Sequence, residues 1–210
     1  MRVRSVVFDI GETLVGETRY WADWARWLGV PPHTMSALVG AVLAEGGDSA
    51  DAIRIVRPGV DVGAEWRARR AAGRGDHLEE GDLYPDVRPA LRRLRDAGLW
   101  VGVAGNQNAV VADLLKGLAL PADAIATSGE WGVAKPSPAF FEQVARWAPG
   151  EPGEILYVGD HPANDIAPAR ACGLRTAHLR RGPIGLTTTA PEADRTVDSL
   201  TELAALLTPR

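Results

Sequence analysis

Four short apolar runs recur along the chain, each bounded by polar residues or glycine. They cover residues 3–8, 99–104, 155–158 and 175–179. Their near-continuous hydrophobic character is typical of strands that are buried on both faces of a parallel sheet. The pattern therefore predicts four buried parallel strands.

Helical patterns with recognisable ends separate these runs. Leu91 and Leu94 lie on one apolar helical face, and Gly98 follows as a left-handed stop. Near the end of the chain, Ser199 and Glu202 have the spacing of a capping box in front of a leucine-rich helix. Strands that alternate with helices predict an α/β fold with a doubly wound parallel sheet, whose two faces are covered by helices.

The segment after the first strand contains helical patterns and no convincing strand. Trp21, Trp24 and Leu28 recur at helical spacing, and residues 65–72 have a further helical pattern. We interpret the tryptophans as the core of a small helical bundle rather than as an aromatic platform for substrate.

This change of pattern predicts two domains. Residues 1–15 and 82–210 would form the α/β core, and residues 16–81 would form a helical cap inserted after the first strand. Open parallel sheets bind ligands at the carboxyl ends of their strands, and an inserted module can lie above that edge as a lid.

Composition narrows the class of protein. The 210 residues carry 27 acidic and 23 basic side chains, with a net charge of −4, and 46% are hydrophobic. These values favour a folded domain without a dedicated nucleic-acid surface. The single cysteine, Cys172, excludes an internal disulfide and a multi-cysteine zinc site. The first apolar run stops at Asp9, unlike a secretory signal, and no stretch approaches the roughly 18 apolar residues of a membrane span. We expect a cytoplasmic protein with no nucleic-acid or membrane partner, and the sequence does not indicate its oligomeric state.

Polar residues stand where three of the predicted strands end. Asp9 follows the first run, Gly105 and Asn106 follow the second, and Asp160 follows the third, with Asp165 five residues further on. The carboxyl ends of parallel strands converge on one crevice, so we expect these residues to lie close together.

Lys135, one of two lysines in the chain, lies between the last two of these segments. Carboxylates gathered in a crevice repel each other unless a metal cation or this lysine compensates. Oxygen ligands without a histidine or cysteine cluster favour Mg²⁺. A carboxylate beside Mg²⁺ and a lysine suits phosphoryl transfer. Each residue alone has a simpler explanation as a cap, a turn former or solvated surface, and the ordered set is much more specific than its members.

The ordered set resembles the four motifs of the haloacid dehalogenase (HAD) superfamily of hydrolases. The corresponding segments are residues 8–14 (FDIGETL), 105–106 (GN), 135–136 (KP) and 158–166 (VGDHPANDI). The resemblance implies an α/β core with a helical cap and a Mg²⁺-dependent phosphatase that acts on a small phosphorylated metabolite.

The resemblance also implies roles for individual residues. Asp9 would be the nucleophile that forms an aspartyl-phosphate, and Lys135 would hold the phosphoryl oxygens and the Asp9 charge. The turn at residues 105–106 would bind phosphate through backbone N–H groups. The metal ligands would be Asp9, the carbonyl of Gly11, Asp160 and Asp165.

Two positions depart from the family pattern. Phosphatases of the family usually carry a second aspartate, the general acid and base, where this chain has Gly11; losing such help typically costs about 10²–10⁴ in rate. Glu12 or His161 could substitute, although each has a simpler explanation as a surface or turn residue. Gly105 stands where the family usually has serine or threonine. This removes one hydroxyl contact to phosphate, worth about 1–3 kcal/mol if that donor is needed.

Two alternatives stay open. A metal-independent 2-haloacid dehalogenase would not need an acid at Gly11, because halide leaves without a proton. A catalytically weakened binding or regulatory protein would explain both departures, but the retained charged residues oppose it. The phosphonatase branch of the superfamily is disfavoured, because it uses a cap lysine and residues 16–80 contain none.

Overall fold

A single parallel sheet organises the larger part of the chain. The computed structural model describes residues 3–208, so the outermost residues of the predicted core domain lie outside the described residues. The strands are β1 (Ser5–Phe8), β2 (Trp100–Gly105), β3 (Ala124–Thr127), β4 (Ile155–Gly159), β5 (Arg175–Leu179) and β6 (Arg195–Val197). They pair in parallel in the order β3-β2-β1-β4-β5-β6. This order confirms the predicted doubly wound α/β sheet.

Helices follow most of the strands, and four of them lie together in the segment after β1. They are α1 (Thr18–Leu28), α2 (Pro32–Ala44), α3 (Asp51–Val56), α4 (Val62–Ala71), α5 (Val87–Asp96), α6 (Ala109–Gly117), α7 (Ser128–Trp131), α8 (Pro138–Trp147), α9 (Ala167–Ala171), α10 (Gly182–Thr187) and α11 (Leu200–Leu207). A π-helical turn, Pro162–Ile166, joins β4 to α9.

The two faces of the sheet are buried by different helices. Val6 and Phe8 of β1 belong to a core cluster with residues of α5 and α11. Val7, which points the opposite way because side chains alternate along a strand, belongs to a second cluster with residues of α8 and α9. Burial on both faces explains why the strand sequences are almost continuously apolar.

Two edge strands, β3 and β6, are absent from the sequence-based prediction. The sequence of β3, Ala-Ile-Ala-Thr, contains two alanines, which have a low propensity for strands. β6 has three residues, two of them exposed. Both edges of the sheet are therefore too short or too weakly apolar to be recognised from the pattern alone.

The chain divides into two compact units. The first joins the N-terminal segment up to Gly16 with the chain from Leu78 onward, and the second is Glu17–His77. The second unit has its own core, in which Trp21 and Trp24 are buried, as the interpretation of these residues required. Among residues 3–208 no single helix is long and apolar enough to cross a membrane; α1 and α2, bent by 113° relative to each other, reach that length and composition only as a pair.

The first unit holds together the two chain segments that lead to and from the second. Val15 and Leu83 form an antiparallel bridge. The N–H of Gly16 donates to the carbonyl of Asp82 at 2.8 Å, and the N–H of Tyr84 donates to the carbonyl of Leu14 at 3.0 Å. The chain therefore leaves the first unit and re-enters it at adjacent points.

Candidate active site

Three carboxylates meet at the carboxyl edge of the sheet. Asp9 directly follows β1, Asp160 directly follows β4, and Asp165 lies in the π-helical turn after β4. β1 and β4 are paired neighbours with Phe8 opposite Val158, so their ends lie side by side. One oxygen from each of the three buried carboxylates lies within 4.8 Å of the others.

Lys135 links two of these carboxylates. Its Nζ donates to Oδ1 of Asp9 and to Oδ1 of Asp165, both at 2.6 Å. The side chain is 4% exposed. The face of the Tyr157 ring lies beside Nζ, with its centroid 5.7 Å away. The structure therefore brings together Asp9, Lys135, Asp160 and Asp165. Asp9 and Asp165 are 156 positions apart in the sequence, and they meet because β1 and β4 are paired neighbours.

Burial and like charges make the ionised form of the carboxyl groups in this cluster unfavourable. Burial, together with the charge of Asp165, raises the pKa of Asp9 to about 6 against the opposing effect of Lys135. Burial and the charges of Asp165 and Asp9 raise the pKa of Asp160 well above its ordinary value. Burial alone would lower the pKa of Lys135, but Asp165 and Asp9 outweigh it and raise this pKa well above the usual range. One lysine cannot neutralise three buried carboxylates.

The donor set fits a divalent cation. Asp9, Asp160 and Asp165 offer carboxylate oxygens close enough to share one ion, and hard divalent cations prefer such ligands. A bound cation would favour the ionised carboxylates and offset their repulsion. Gly11 lies in the loop after β1, where it forms a bridge with Val15; the role of its carbonyl as a metal ligand stays a prediction.

Asn106 contacts Lys135 through its side chain. Its Nδ2 donates to the backbone carbonyl of Lys135 at 2.9 Å, and its Oδ1 accepts from the backbone N–H of Lys135 at 2.8 Å. Sequence reasoning treated Asn106 only as part of a phosphate-binding turn and missed this amide clamp. The contact spans 29 residues, and no local pattern could have indicated it.

Two glycines make room for the carboxylates. A Cβ at Gly105 would lie 2.3 Å from Oδ1 of Asp9, and a Cβ at Gly159 would lie 2.2 Å from Oδ2 of Asp165. With Asp9 in this orientation, position 105 has no space for the serine or threonine that is usual in the family. A serine or threonine at this position would require the Asp9 carboxylate to shift.

Glu12, one of the two substitutes considered for the missing acid, has another partner, whereas the Nδ1 atom of His161 is buried without a hydrogen-bond partner among the described residues. Oε2 of Glu12 accepts from the hydroxyl of Tyr84 at 2.5 Å. The backbone N–H of His161 donates to Oδ2 of Asp165 at 2.9 Å, and burial lowers the pKa of the His161 imidazole. Neither of these contacts presents a proton donor to Asp9.

Three carboxylates and a lysine at the carboxyl edge of a doubly wound sheet form the kind of polar cluster expected of an active site in this class of fold. The model of the haloacid dehalogenase-like hydrolase family matches residues 3–173. The chain belongs to this family, and it has the hydrolase fold that the resemblance implied.

Curated and solved relatives include both phosphatases and dehalogenases. The chain is 37% identical over 102 residues to glyceraldehyde 3-phosphate phosphatase of Methanopyrus kandleri, covering 47% of this chain and 44% of that protein. It spans about half the length of the curated relatives it matches.

Two solved structures share the fold over nearly the whole chain. One is the HAD hydrolase YfnB of Bacillus subtilis, solved with bound magnesium, with a TM-score of 0.74, 19% identity and coverage of 99% of this chain and 100% of that one. The other is a 2-haloacid dehalogenase of Pseudomonas syringae, with a TM-score of 0.59, 25% identity and coverage of 98% of both chains.

Proposed function

We propose that this protein is a Mg²⁺-dependent phosphatase of a small phosphorylated metabolite, with Asp9 as the nucleophile. The observation that carries the proposal is the Asp9 carboxylate, held by Lys135 at 2.6 Å and gathered with Asp160 and Asp165 in one buried cluster. Phosphoryl transfer depends mainly on positioning and on the neutralisation of negative charge, and this cluster supplies groups for both.

The proposed reaction has two displacements. A carboxylate oxygen of Asp9 attacks phosphorus, the bond from phosphorus to the leaving oxygen breaks, and the leaving group takes a proton from solvent. Water then attacks the phosphorus of the aspartyl-phosphate, which releases inorganic phosphate and restores the carboxylate. Lys135 holds the charge of Asp9 and of the phosphoryl oxygens. Asp9, Asp160, Asp165 and the Gly11 carbonyl would hold a bound Mg²⁺, which would supply further charge neutralisation.

The names of the relatives favour phosphate esters as substrates. They include a glyceraldehyde 3-phosphate phosphatase and a phosphoserine phosphatase, the latter 33% identical over 106 residues and from Thermus thermophilus. Both are named for small phosphorylated metabolites. A small phosphate monoester is therefore the proposed class of substrate for this chain.

The test is a panel of phosphate monoesters assayed with Mg²⁺ and with EDTA. We expect phosphate release from at least one small ester with Mg²⁺, and its loss in EDTA, because removal of the cation leaves the buried carboxylates to repel each other and the substrate. Release of phosphate that is equally fast in EDTA would contradict the proposed metal dependence. Absence of turnover across the panel would favour the binding or regulatory alternative.

The missing acid at Gly11 gives a second prediction. Without a proton donor, the rate of Asp9 phosphorylation should depend strongly on the leaving group, so aryl and acyl phosphates should turn over faster than alkyl phosphates. The measurement is kcat/KM for esters of similar size and graded leaving-group pKa. A flat rate across the series would show that another group supplies the proton.

The second candidate function is metal-independent hydrolysis of 2-haloacids. Gly11 favours it, since a halide leaves without a proton. Solved dehalogenases also share the fold. The gathering of Asp160 with Asp165 beside Asp9 favours a metal instead. Chloride release from 2-chloropropionate in EDTA would support the dehalogenase, whereas the phosphatase should release none.

A further inference from the structure

A histidine outside the family motifs is buried beside the loop that carries Asp160. His178 lies in β5, is fully buried and is opposite Gly159 in the parallel register of β4 and β5. Its strand neighbours Ala177 and Leu179 belong to the core cluster shared with α5 and α11, so His178 points to the opposite face of the sheet. A buried imidazole requires a hydrogen-bond partner to offset its desolvation.

The partner of His178 is the backbone of Asp160. Nε2 of the imidazole lies 3.1 Å from the carbonyl oxygen of Asp160. A carbonyl only accepts, so Nε2 carries the proton and donates it. The other ring nitrogen, Nδ1, is buried without a hydrogen-bond partner among the described residues. Burial lowers the pKa of His178, and the neutral ring with its proton on Nε2 satisfies this contact.

Asp160 needs such a contact because the sheet does not hold it. It lies one residue beyond Gly159, the last position of β4 that pairs with β5. Its carboxylate is buried beside those of Asp9 and Asp165. The next residue, His161, is fixed through its backbone N–H to Asp165 at 2.9 Å. The hydrogen bond from His178 therefore holds the backbone of the turn at Asp160, just before the contact made by His161.

The backbone of α10 also packs closely against this turn. A Cβ at Gly185 would lie 2.6 Å from the carbonyl oxygen of Leu179 and 3.1 Å from Cβ of Asp160. Asp160 thus lies close to both His178 and the backbone of α10. Partners that orient a metal ligand commonly set the affinity of the site, and their loss costs about 10–100-fold.

We propose that His178 is a positioning residue for Asp160: its hydrogen bond to the Asp160 carbonyl holds the carboxylate towards Asp9 and Asp165 and so sets the affinity for the divalent cation. The inference rests on the proposed metal-dependent function. It assigns no proton transfer to His178.

The test compares two amides of different length at position 178. In His178→Gln the side-chain N–H₂ can reach the position of Nε2, whereas in His178→Asn it cannot. We expect the dissociation constant for Mn²⁺, measured without substrate by electron paramagnetic resonance, to rise about tenfold or more in His178→Asn. It should stay close to the wild-type value in His178→Gln. The concentration of Mg²⁺ that gives half-maximal phosphatase activity should follow the same order, with kcat at saturating Mg²⁺ changed much less.

The control is Thr176→Val on the same strand and the same face of the sheet. Thr176 is also fully buried and pairs with Asp194, away from the acidic cluster. This variant should lose stability without a change in Mn²⁺ affinity. Equal Mn²⁺ affinities in His178→Asn and the wild type, or an equal loss in both His178 variants, would overturn the positioning role alone. A wild-type protein that binds no Mn²⁺ would overturn the proposed function and this inference together.

Discussion

Replacing Asp9 with asparagine is expected to reduce the hydrolysis of phosphate esters by about 10⁴-fold or more, the scale of loss seen when a nucleophile is removed from an enzyme. Asparagine has nearly the same shape as aspartate but is a far weaker nucleophile. Its side-chain oxygen can still accept from Lys135, whose Nζ lies 2.6 Å from Oδ1 of Asp9. The measurement is kcat/KM for the best ester of the panel at saturating Mg²⁺.

The same exchange at an exposed aspartate outside the site is the control. Asp113 on α6 has a side chain that is 84% exposed, and Asp113→Asn should leave kcat/KM unchanged. Thermal unfolding of both variants checks that they are folded. Turnover by folded Asp9→Asn at a rate near that of the wild type would exclude Asp9 as the nucleophile.

Replacing Lys135 with methionine should both inactivate and destabilise the protein. Methionine keeps much of the length of the side chain but removes the cation, which leaves three buried carboxylates without their counter-charge. Breaking a buried ion pair from one side typically costs about 3–5 kcal/mol of the free energy of unfolding. Urea denaturation near neutral pH measures this loss, and the phosphatase assay measures the inactivation.

The other lysine of the chain is the control for this exchange. Lys116 is half-exposed and pairs with Glu130 at 2.9 Å, so Lys116→Met should change the free energy of unfolding by about 1 kcal/mol or less. Mg²⁺ should raise the stability of Lys135→Met more than that of the wild type, because a cation in the cluster then supplies the missing positive charge. Equal stability of the two lysine variants without Mg²⁺ would show that the buried pairs of Lys135 do not stabilise the fold.

The core of the sheet was predictable because burial on both faces leaves a clear pattern. The apolar runs at residues 3–8 and 155–158 correspond to β1 and β4, the neighbouring strands that position the site. The capping box at Ser199 is only half formed. Ser199 accepts from the N–H of Glu202, but Glu202 reaches the N–H of Asp198 rather than that of Ser199. Spacing along the chain indicates which groups can meet, whereas the local backbone decides which of them do.

The sequence indicated which residues form the candidate site, but it did not indicate the contacts between them. Asp9 and Asp160 were recognisable because each follows a predicted strand, and Lys135 because its place between those segments resembles the order of known motifs. The amide clamp from Asn106 and the contact of His178 with Asp160 join positions that are distant in sequence. Their formation depends on strand register and on the paths of two loops, which hydrophobic periodicity does not encode.

The bridge between Val15 and Leu83 pairs the chain segments that stand before and after the second unit. Backbone hydrogen bonds join residues 14–16 to residues 82–84. A short turn between these two segments could therefore replace the second unit without changing the register of any strand. Recombination could therefore exchange the intervening helices for others and leave Asp9 in place beside Lys135. Exchange of the helical unit would then change the selectivity for substrate, while the residues of the acidic cluster in the first unit stayed the same.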